Sequence, residues 1–150
     1  MAITLPNEYR SYVLLAATST FVLNTVHSII TSRRRKAAAI PYPISYATKE
    51  QADKDPKAHS FNCAQRAHAN FTENLTPFLG ELFIAGLRYP VYAAAVGAVW
   101  SAGRLMYVLG YTSARGPQGR LVGFGLSWLS DIVLKGMAAW TSVGYVLGWY

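Results

Sequence analysis

Four long apolar runs dominate the sequence and restrict the folds open to it. They cover about residues 12–31, 63–87, 91–111 and 121–147. Each is about 20 residues or longer, the length that an α-helix needs to cross the hydrocarbon core of a bilayer. The runs therefore predict an all-α integral membrane protein, a four-helix bundle built as a single domain of residues 1–150.

The composition supports lipid as the surrounding solvent. The chain of 150 residues is 52% hydrophobic and only 14% charged, whereas a soluble domain carries about 25% charged residues. The mean hydropathy of +0.18 is modest, which fits a membrane bundle with polar loops and a polar interior. The single cysteine, Cys63, excludes an intrachain disulfide.

The net charge of +7 is concentrated in two loops between the apolar runs. One loop begins with four basic residues at 33–36, and the other carries Arg115 and Arg120. This distribution favours an anionic ligand or a lipid surface over nucleic acid. Because Lys and Arg are enriched in cytosolic loops, both loops are predicted to be cytosolic and both termini lumenal. The endoplasmic reticulum is the expected membrane, with the outer mitochondrial membrane as the alternative.

Three local patterns add detail to this arrangement. Residues 37–60 are predicted to form a polar loop, because three prolines interrupt them. Asp131 and Lys135 are spaced i, i+4, so they can neutralise each other within the fourth run. Gly144 and Gly148 form a small-xxx-small pattern, which lets helices approach closely in lipid.

The first run carries a polar stripe formed by Thr20, Asn24, His27 and Thr31. The spacing i, i+4, i+7, i+11 places these side chains on one face of a helix. That face is expected to contact protein rather than lipid. It either makes hydrogen bonds between helices or contacts a ligand, and the sequence leaves both roles open.

The second run carries the candidate site residues Arg66, Asn70 and Glu73, spaced i, i+4, i+7 on one helix face. Charges inside a membrane cost about 2.5–3.5 kcal/mol each on insertion scales, so such residues are usually functional. His68 lies in the same segment.

The other runs bring polar groups to the same cytosolic end. Arg104, Tyr107 and Tyr111 share one face of the third run, Arg120 precedes the fourth, and residues 33–35 end the first. Arginine forks bind carboxylates, a glutamate binds an ammonium group, and tyrosines offer hydroxyls. This set suits a small zwitterion with several carboxylates and an amine.

A structural network is the alternative interpretation of the same residues. In it, Arg66 and Arg104 pair with Glu73 and Glu81 and only hold the bundle together. The sequence patterns alone leave the two interpretations open.

Other chemistries find less support in the sequence. The spacing of His59, Cys63 and His68 matches no common metal site. There is no glycine-rich phosphate loop and no Gly-x-Ser-x-Gly elbow. Cys63 is interpreted as a small buried apolar residue rather than a nucleophile, which would need a low pKa.

Short motifs in the second and third runs resemble the MAPEG family, the membrane-associated proteins in eicosanoid and glutathione metabolism. The motifs are Phe61-Asn62-Cys63, Gln65-Arg66-Ala67-His68, Asn70, Glu73, Gly103-Arg104, Tyr107 and Gly110-Tyr111. Pro41-Tyr42-Pro43 and Tyr46 resemble the subgroup of type-three microsomal glutathione transferases.

The resemblance implies a four-helix membrane bundle that assembles as a homotrimer, with glutathione bound between neighbouring subunits. It implies these glutathione-binding residues: Arg34, Arg66, His68, Asn70, Glu73, Tyr107 and Tyr111. Arg33 and Arg35 are the alternatives to Arg34. It gives Arg120 the role of activating the thiol, with Arg115 as a rival because the preceding loop is longer here. Arg104 is implied to be structural. The chain departs from the family at Asn74, near which relatives commonly carry a tyrosine.

The implied activity is that of a glutathione transferase and peroxidase that uses no metal. An activated glutathione thiolate attacks a lipophilic electrophile or a lipid hydroperoxide that arrives from the bilayer. The alternative is a non-catalytic family member that acts as a lipid-binding scaffold or as an activator of a lipoxygenase-type partner.

Overall fold

The computed structural model describes residue 5 and residues 7–149, and no β-strand occurs within that part of the chain. These residues are therefore all-α, as predicted. In chain order, the helical elements are a π-helical turn (Tyr9–Val13), α1 (Leu14–Ala37), α2 (Lys49–Lys54), α3 (Pro56–Arg88), α4 (Pro90–Tyr111), a 3-10 turn (Gly116–Arg120) and α5 (Leu121–Val146).

Among the described residues, three helical stretches are long and apolar enough to cross a membrane. They are Tyr9–Ala37, Pro90–Tyr111 and Gly116–Val146, and they contain three of the four predicted runs. By the length and composition of these helices, the chain is an integral membrane protein. The remaining predicted run, residues 63–87, lies within α3, whose polar side chains lower its hydropathy.

Helix α3 lies antiparallel to α1 along most of its length. Near one end, the Thr31 hydroxyl donates to the Ala64 carbonyl at 3.3 Å. Near the other end, the Tyr9 hydroxyl donates to the Phe83 carbonyl at 3.4 Å. Because α1 is long enough to span a bilayer, this packing supports the prediction that α3 crosses the same layer.

Two helices extend further than the hydropathy of the sequence suggested. Helix α1 continues through the basic run to Ala37. Helix α3 begins at Pro56, inside the predicted loop of residues 37–60. The Asp55 side chain accepts a hydrogen bond from the Lys57 backbone N–H at 2.8 Å, so it caps α3 where a proline occupies the first helical position.

The loop between α1 and α3 is consequently shorter than predicted. A capping box at Thr48 and Gln51 starts the short helix α2. The segment with Pro41 and Pro43 is non-helical, as predicted.

Helices α4 and α5 approach each other closely at glycines. A Cβ added at Gly123 would lie 2.3 Å from the backbone nitrogen of Tyr107 and 2.6 Å from the carbonyl oxygen of Gly103. A Cβ added at Gly119 would lie 2.2 Å from the carbonyl oxygen of Gly110. Backbone atoms cannot move aside cheaply, so glycine is required here, and the contact brings the start of α5 against Tyr107.

The predicted pattern of Gly144 and Gly148 does not form one helix face. Gly144 is buried in α5. Gly148 lies beyond the end of α5 with a φ of +65°, in the left-handed region that favours glycine. Gly148 therefore helps to end the helix, where the Trp149 backbone N–H donates to the Gly144 carbonyl at 2.9 Å.

Candidate functional site

The polar face of α3, formed by Arg66, Asn70 and Glu73, is assembled as the spacing predicted. The Arg66 Nη1 donates to the Glu73 Oε1 at 3.0 Å, and about half of each side chain is exposed. An ion pair at this exposure is weak and can exchange partners. The two charges are thus accessible to a ligand that carries both signs of charge.

Arg104 joins α4 to this polar face from the interior. It is 3% exposed, and its Nη2 donates to the Asn70 Oδ1 at 3.0 Å. Its guanidinium lies 5.0 Å from the ring centroid of Tyr107 and 5.5 Å from that of Trp100. These contacts hold the Asn70 amide in place, which supports the structural role expected for Arg104.

Arg120 lies where the 3-10 turn meets α5 and points at two tyrosines of α4. Its Nη1 donates to the Tyr107 hydroxyl oxygen at 3.2 Å, and its guanidinium lies 4.9 Å from the ring centroid of Tyr111. The two tyrosine rings meet edge to face at 5.6 Å. The structure therefore brings together Arg120, Tyr107 and Tyr111, three of the predicted site residues.

Arg104 joins the two groups of residues, because it contacts both Asn70 and the ring of Tyr107. Arg66 interacts electrostatically with Tyr107 and with Tyr111, as does Arg120. The polar face of α3 and the group formed by Arg120, Tyr107 and Tyr111 are thus parts of one cluster. This cluster lies near the C-terminal end of α4 and the N-terminal end of α5. Of the predicted site residues, the cluster leaves out only Arg34 and His68, and it contains Arg66, Asn70, Glu73, Arg104, Tyr107, Tyr111 and Arg120.

A polar cavity of about 780 Å³ lies beside this cluster at the same end of the bundle. Arg34, Cys63, Tyr111 and Arg115 are among its lining residues. The Arg34 Nη2 donates to the Thr112 carbonyl at 3.2 Å. Arg34 and Arg115 therefore line the cavity, whereas Arg120 contacts Tyr111 and Tyr107 directly.

Arg35 differs from its neighbours in the basic run because it is buried. Its Nη1 donates to the Ile44 carbonyl at 2.5 Å. Its guanidinium also lies 4.4 Å from the ring of Tyr42 and 4.6 Å from that of Phe61. Arg35 thus fastens the loop onto α3, which leaves Arg34 the better placed of these two for a ligand.

His68 lies on a different side of α3 from the other predicted ligands. Two residues along a helix correspond to a rotation of about 200° from Arg66. The His68 Nε2 lies 3.3 Å from the Asn24 Oδ1, and its ring lies 5.7 Å from that of His27. Within one chain, the structure does not bring His68 together with the polar face of α3.

The polar stripe of α1 faces protein for most of its length, as predicted. Thr20, His27 and Thr31 are buried, and Asn24 is the exposed member that reaches His68. The ring of His27 stacks on Phe71 at 4.7 Å. Thr31 donates to Ala64 of α3, whereas the Thr20 hydroxyl donates to Ala17 of its own helix. Neither ring nitrogen of His27 has a hydrogen-bond partner in the described part of the chain, so His27 is held by packing.

Sequence reasoning missed an ionic cluster between α3 and α5. The predicted pair of Asp131 and Lys135 is present, and the Lys135 Nζ also lies 3.7 Å from the Glu81 Oε1. In the alternative interpretation as a structural network, Glu81 pairs with an arginine, and that pairing is wrong because Glu81 pairs with Lys135. The Arg66–Glu73 pair of the same interpretation is present.

A separate apolar groove of about 890 Å³ runs between α1 and α4. Its lining includes Tyr12, Leu15, Ala94, Ala98 and Ser101. These positions belong to the halves of α1 and α4 that lie away from Arg120. Its chemistry suits an acyl chain rather than a polar ligand.

No group of three His, Cys, Asp or Glu side chains suited to a metal ion occurs in the described part of the chain. The polar cluster offers instead arginines, a carboxylate, an amide and phenol groups. These groups bind charged and hydrogen-bonding parts of an organic molecule.

Comparison with known proteins gives two findings. The model of the MAPEG family matches residues 13–140. An uncharacterized protein of Synechocystis sp., sll1147, is 40% identical over 75 residues, which cover 49% of this chain and 53% of that protein. The match thus spans about half the length of the curated relative.

Proposed function

The chain belongs to the MAPEG family, and from this premise we propose that it is a glutathione-dependent membrane transferase and peroxidase. The observation that carries the proposal is the contact of Arg120 with Tyr107 and Tyr111, close to the Arg66–Glu73 pair. This contact supports a role for Arg120 in activating a thiol, beside groups that suit a zwitterion. Pro41–Pro43 and Tyr46 favour the type-three microsomal glutathione transferases within the family.

The polar face of α3 would bind the charged ends of glutathione. Glutathione carries two carboxylates and one ammonium group. Arg66 can bind a carboxylate through its planar guanidinium, and Glu73 can accept from the ammonium group. Asn70, held by Arg104, would add an amide contact. Binding would replace the weak Arg66–Glu73 ion pair with two ion pairs to glutathione, one from each residue.

A neighbouring subunit would complete the site. Arg66 and Glu73 are half exposed, and exposed charges are costly at membrane depth unless protein or water covers them. His68 and Arg34 lie outside the polar face of α3 in their own chain. In the proposed homotrimer of four-helix bundles, glutathione lies between subunits, and these two residues of one chain can reach the polar face of another.

Arg120 would lower the pKa of the glutathione thiol. A free thiol has a pKa of about 8.5, so only a few per cent is thiolate at neutral pH. Each unit of lowering needs about 1.4 kcal/mol of differential interaction. Arg120 uses one N–H on Tyr107, and a guanidinium has five, so donors remain for the sulfur.

The thiolate would then react in one of two ways. With an epoxide or activated alkene, sulfur forms a bond to carbon, and the oxygen or carbon that receives the electron pair is protonated to give a thioether product. With a lipid hydroperoxide, sulfur takes the outer oxygen and releases an alcohol. A second glutathione then displaces hydroxide from the sulfenic acid, which gives glutathione disulfide and water. The electrons come from glutathione, so neither reaction requires a metal or a protein cysteine.

The location of the cluster fits both substrates. Glutathione is water-soluble and would enter through the cytosolic loops, where the basic residues lie. The lipophilic substrate would enter from the bilayer. The proposed membrane is the endoplasmic reticulum, with the outer mitochondrial membrane as the alternative.

The apolar groove between α1 and α4 favours a second candidate, a non-catalytic lipid-binding scaffold or activator. A groove of about 890 Å³ has room for a lipid tail, and it lies apart from the polar cluster. Such a protein would have no need for Arg66, Glu73 and Arg120, all of which are present. We therefore give preference to the enzyme.

One assay distinguishes the two candidates. The protein, purified in detergent, is incubated with glutathione and either a fatty-acid hydroperoxide or a lipophilic epoxide. The enzyme is expected to form glutathione disulfide or a thioether, and Arg120→Met is expected to form either product at least about a hundredfold more slowly. Tight lipid binding without either product would support the scaffold instead.

A further inference from the structure

Arg104 is a buried cation that forms no salt bridge with a carboxylate of residues 5 or 7–149. Its side chain donates to Asn70 through Nη2. The Nε of Arg104 has no hydrogen-bond partner in the described part of the chain. An unpaired charge in an apolar interior is costly, so some other group must balance this guanidinium.

The structure provides such a group across a small cavity. A cavity of about 70 Å³ separates Arg104 from Asp131, and Asn70, Asn74 and Ser127 also line it. Arg104 is attracted electrostatically to Asp131 and to Glu73, of which only Asp131 lines this cavity. A site of this size with several polar walls meets the requirements for holding ordered water. Water can therefore link the carboxylate to the guanidinium.

We propose that Asp131 is a positioning residue for the glutathione site, acting through water on Arg104 and thereby on Asn70. The carboxylate fixes the orientation of the guanidinium, and the guanidinium fixes the amide that would contact glutathione. This inference rests on the proposed function for the identity of the ligand. The coupling of Asp131 to Arg104 and Asn70 does not depend on the ligand.

The ion pair with Lys135 does not explain Asp131 by itself. Lys135 is 56% exposed and has Glu81 as a second carboxylate partner, whereas the Asp131 side chain is only 14% exposed. Asp131 thus lies between a solvent- or lipid-facing lysine and the buried cavity with Arg104. The two partners can be separated by mutation.

The variants are Asp131→Asn, which removes the charge, and Lys135→Gln, which breaks the ion pair but keeps the carboxylate beside the cavity. Asp131→Asn is expected to raise the Kd of glutathione about three- to tenfold, the effect of one hydrogen-bonded contact. Turnover at saturating glutathione should stay within about twofold, because Asn70 would bind ground state and transition state alike. Lys135→Gln should bind glutathione within about twofold of wild type.

A readout that needs no ligand accompanies the binding measurement. In protein with nitrogen-15-labelled arginine, the Nε–H signal of Arg104 is assigned by its loss in Arg104→Lys. This signal is expected to show magnetisation transfer from water, and to move in Asp131→Asn but not in Lys135→Gln. Asp131→Glu, which keeps the charge, should leave the signal and the affinity close to those of wild type. If Asp131→Asn does not fold, Asp131→Ser, which also removes the charge, replaces it.

The outcomes are distinct. The inference would be overturned if the Arg104 signal and the Kd of glutathione are unchanged in Asp131→Asn. It would also be overturned if both change equally in Lys135→Gln. In the Asn70→Ala background, Asp131→Asn should add no further loss of affinity, and additive losses would contradict the coupling. A responding Arg104 signal in a protein that does not bind glutathione supports the coupling and overturns only the proposed function.

Discussion

The Nη1 of Arg120 donates to the hydroxyl oxygen of Tyr107 at 3.2 Å and so ties the start of α5 to α4. The same guanidinium lies 4.9 Å from the ring centroid of Tyr111. This arrangement holds the Arg120 guanidinium in a defined orientation and leaves further N–H groups that can donate to a ligand. It distinguishes Arg120 from Arg115, which is exposed and lines the neighbouring cavity.

Arg120→Met is therefore expected to reduce turnover by about a hundredfold or more, the effect of removing one donor that stabilises developing charge. The Kd for glutathione should stay within about tenfold, because other residues would bind its charged ends. Turnover and calorimetric Kd provide the two measurements. Arg115→Met is the matched control, and a loss of turnover in this control alone would transfer the role to Arg115.

Glu73→Gln is expected to weaken glutathione binding by about ten- to a hundredfold, because the substitution removes a charge-assisted contact with the ammonium group. The control is Glu81→Gln, a second glutamate of α3 that pairs with Lys135 instead. Equilibrium dialysis of both variants measures the effect. Equal affinities in the two variants would argue against Glu73 as a ligand.

Arg34 and Arg35 are expected to behave differently although they are adjacent. Arg34→Ala should weaken glutathione binding with little change in melting temperature. Arg35→Ala should lower the melting temperature by several degrees and speed proteolysis of residues 41–46, because it loses the Ile44 contact and two aromatic contacts. Thermal unfolding in detergent, limited proteolysis and Kd measure these effects. The reverse pattern would mean that the two roles have been assigned to the wrong arginines.

Gly123→Ala is expected to destabilise the protein by about 1–3 kcal/mol, since the added methyl group would meet backbone atoms of α4. It should also lower activity by separating Arg120 from Tyr107. The control is Gly125→Ala, where the added Cβ would have no described atom within 4 Å apart from its chain neighbours and the backbone of its own helix. That substitution should stabilise α5 by up to about 1 kcal/mol. Equal melting temperatures of the two variants would contradict the close approach.

Local patterns predicted much of the fold. Run length located α1, α4 and α5, since burial in lipid demands a minimum apolar length. The extent of α3 was underestimated because hydropathy does not register capping. The cap at Asp55 and the proline after it start a helix in a stretch that is polar enough to resemble a loop.

The site was predictable where one helix determined the geometry. Helical spacing alone placed Arg66, Asn70 and Glu73 on one face. The same spacing places His68 elsewhere, and only the resemblance had grouped it with them. The pairing of Glu81 with Lys135 joins two helices, so it depends on how α3 and α5 pack and could not be read from either segment.

The central claim is that the chain binds glutathione and holds it as the thiolate. Its most direct test is a titration of the purified protein with glutathione at neutral pH, followed by the ultraviolet absorbance of the thiolate, for wild type and for Arg66→Ala. We predict a thiolate signal that saturates in wild type and requires a much higher glutathione concentration in the variant. A wild-type protein that stays folded but gives no saturable signal would contradict the claim and favour the scaffold.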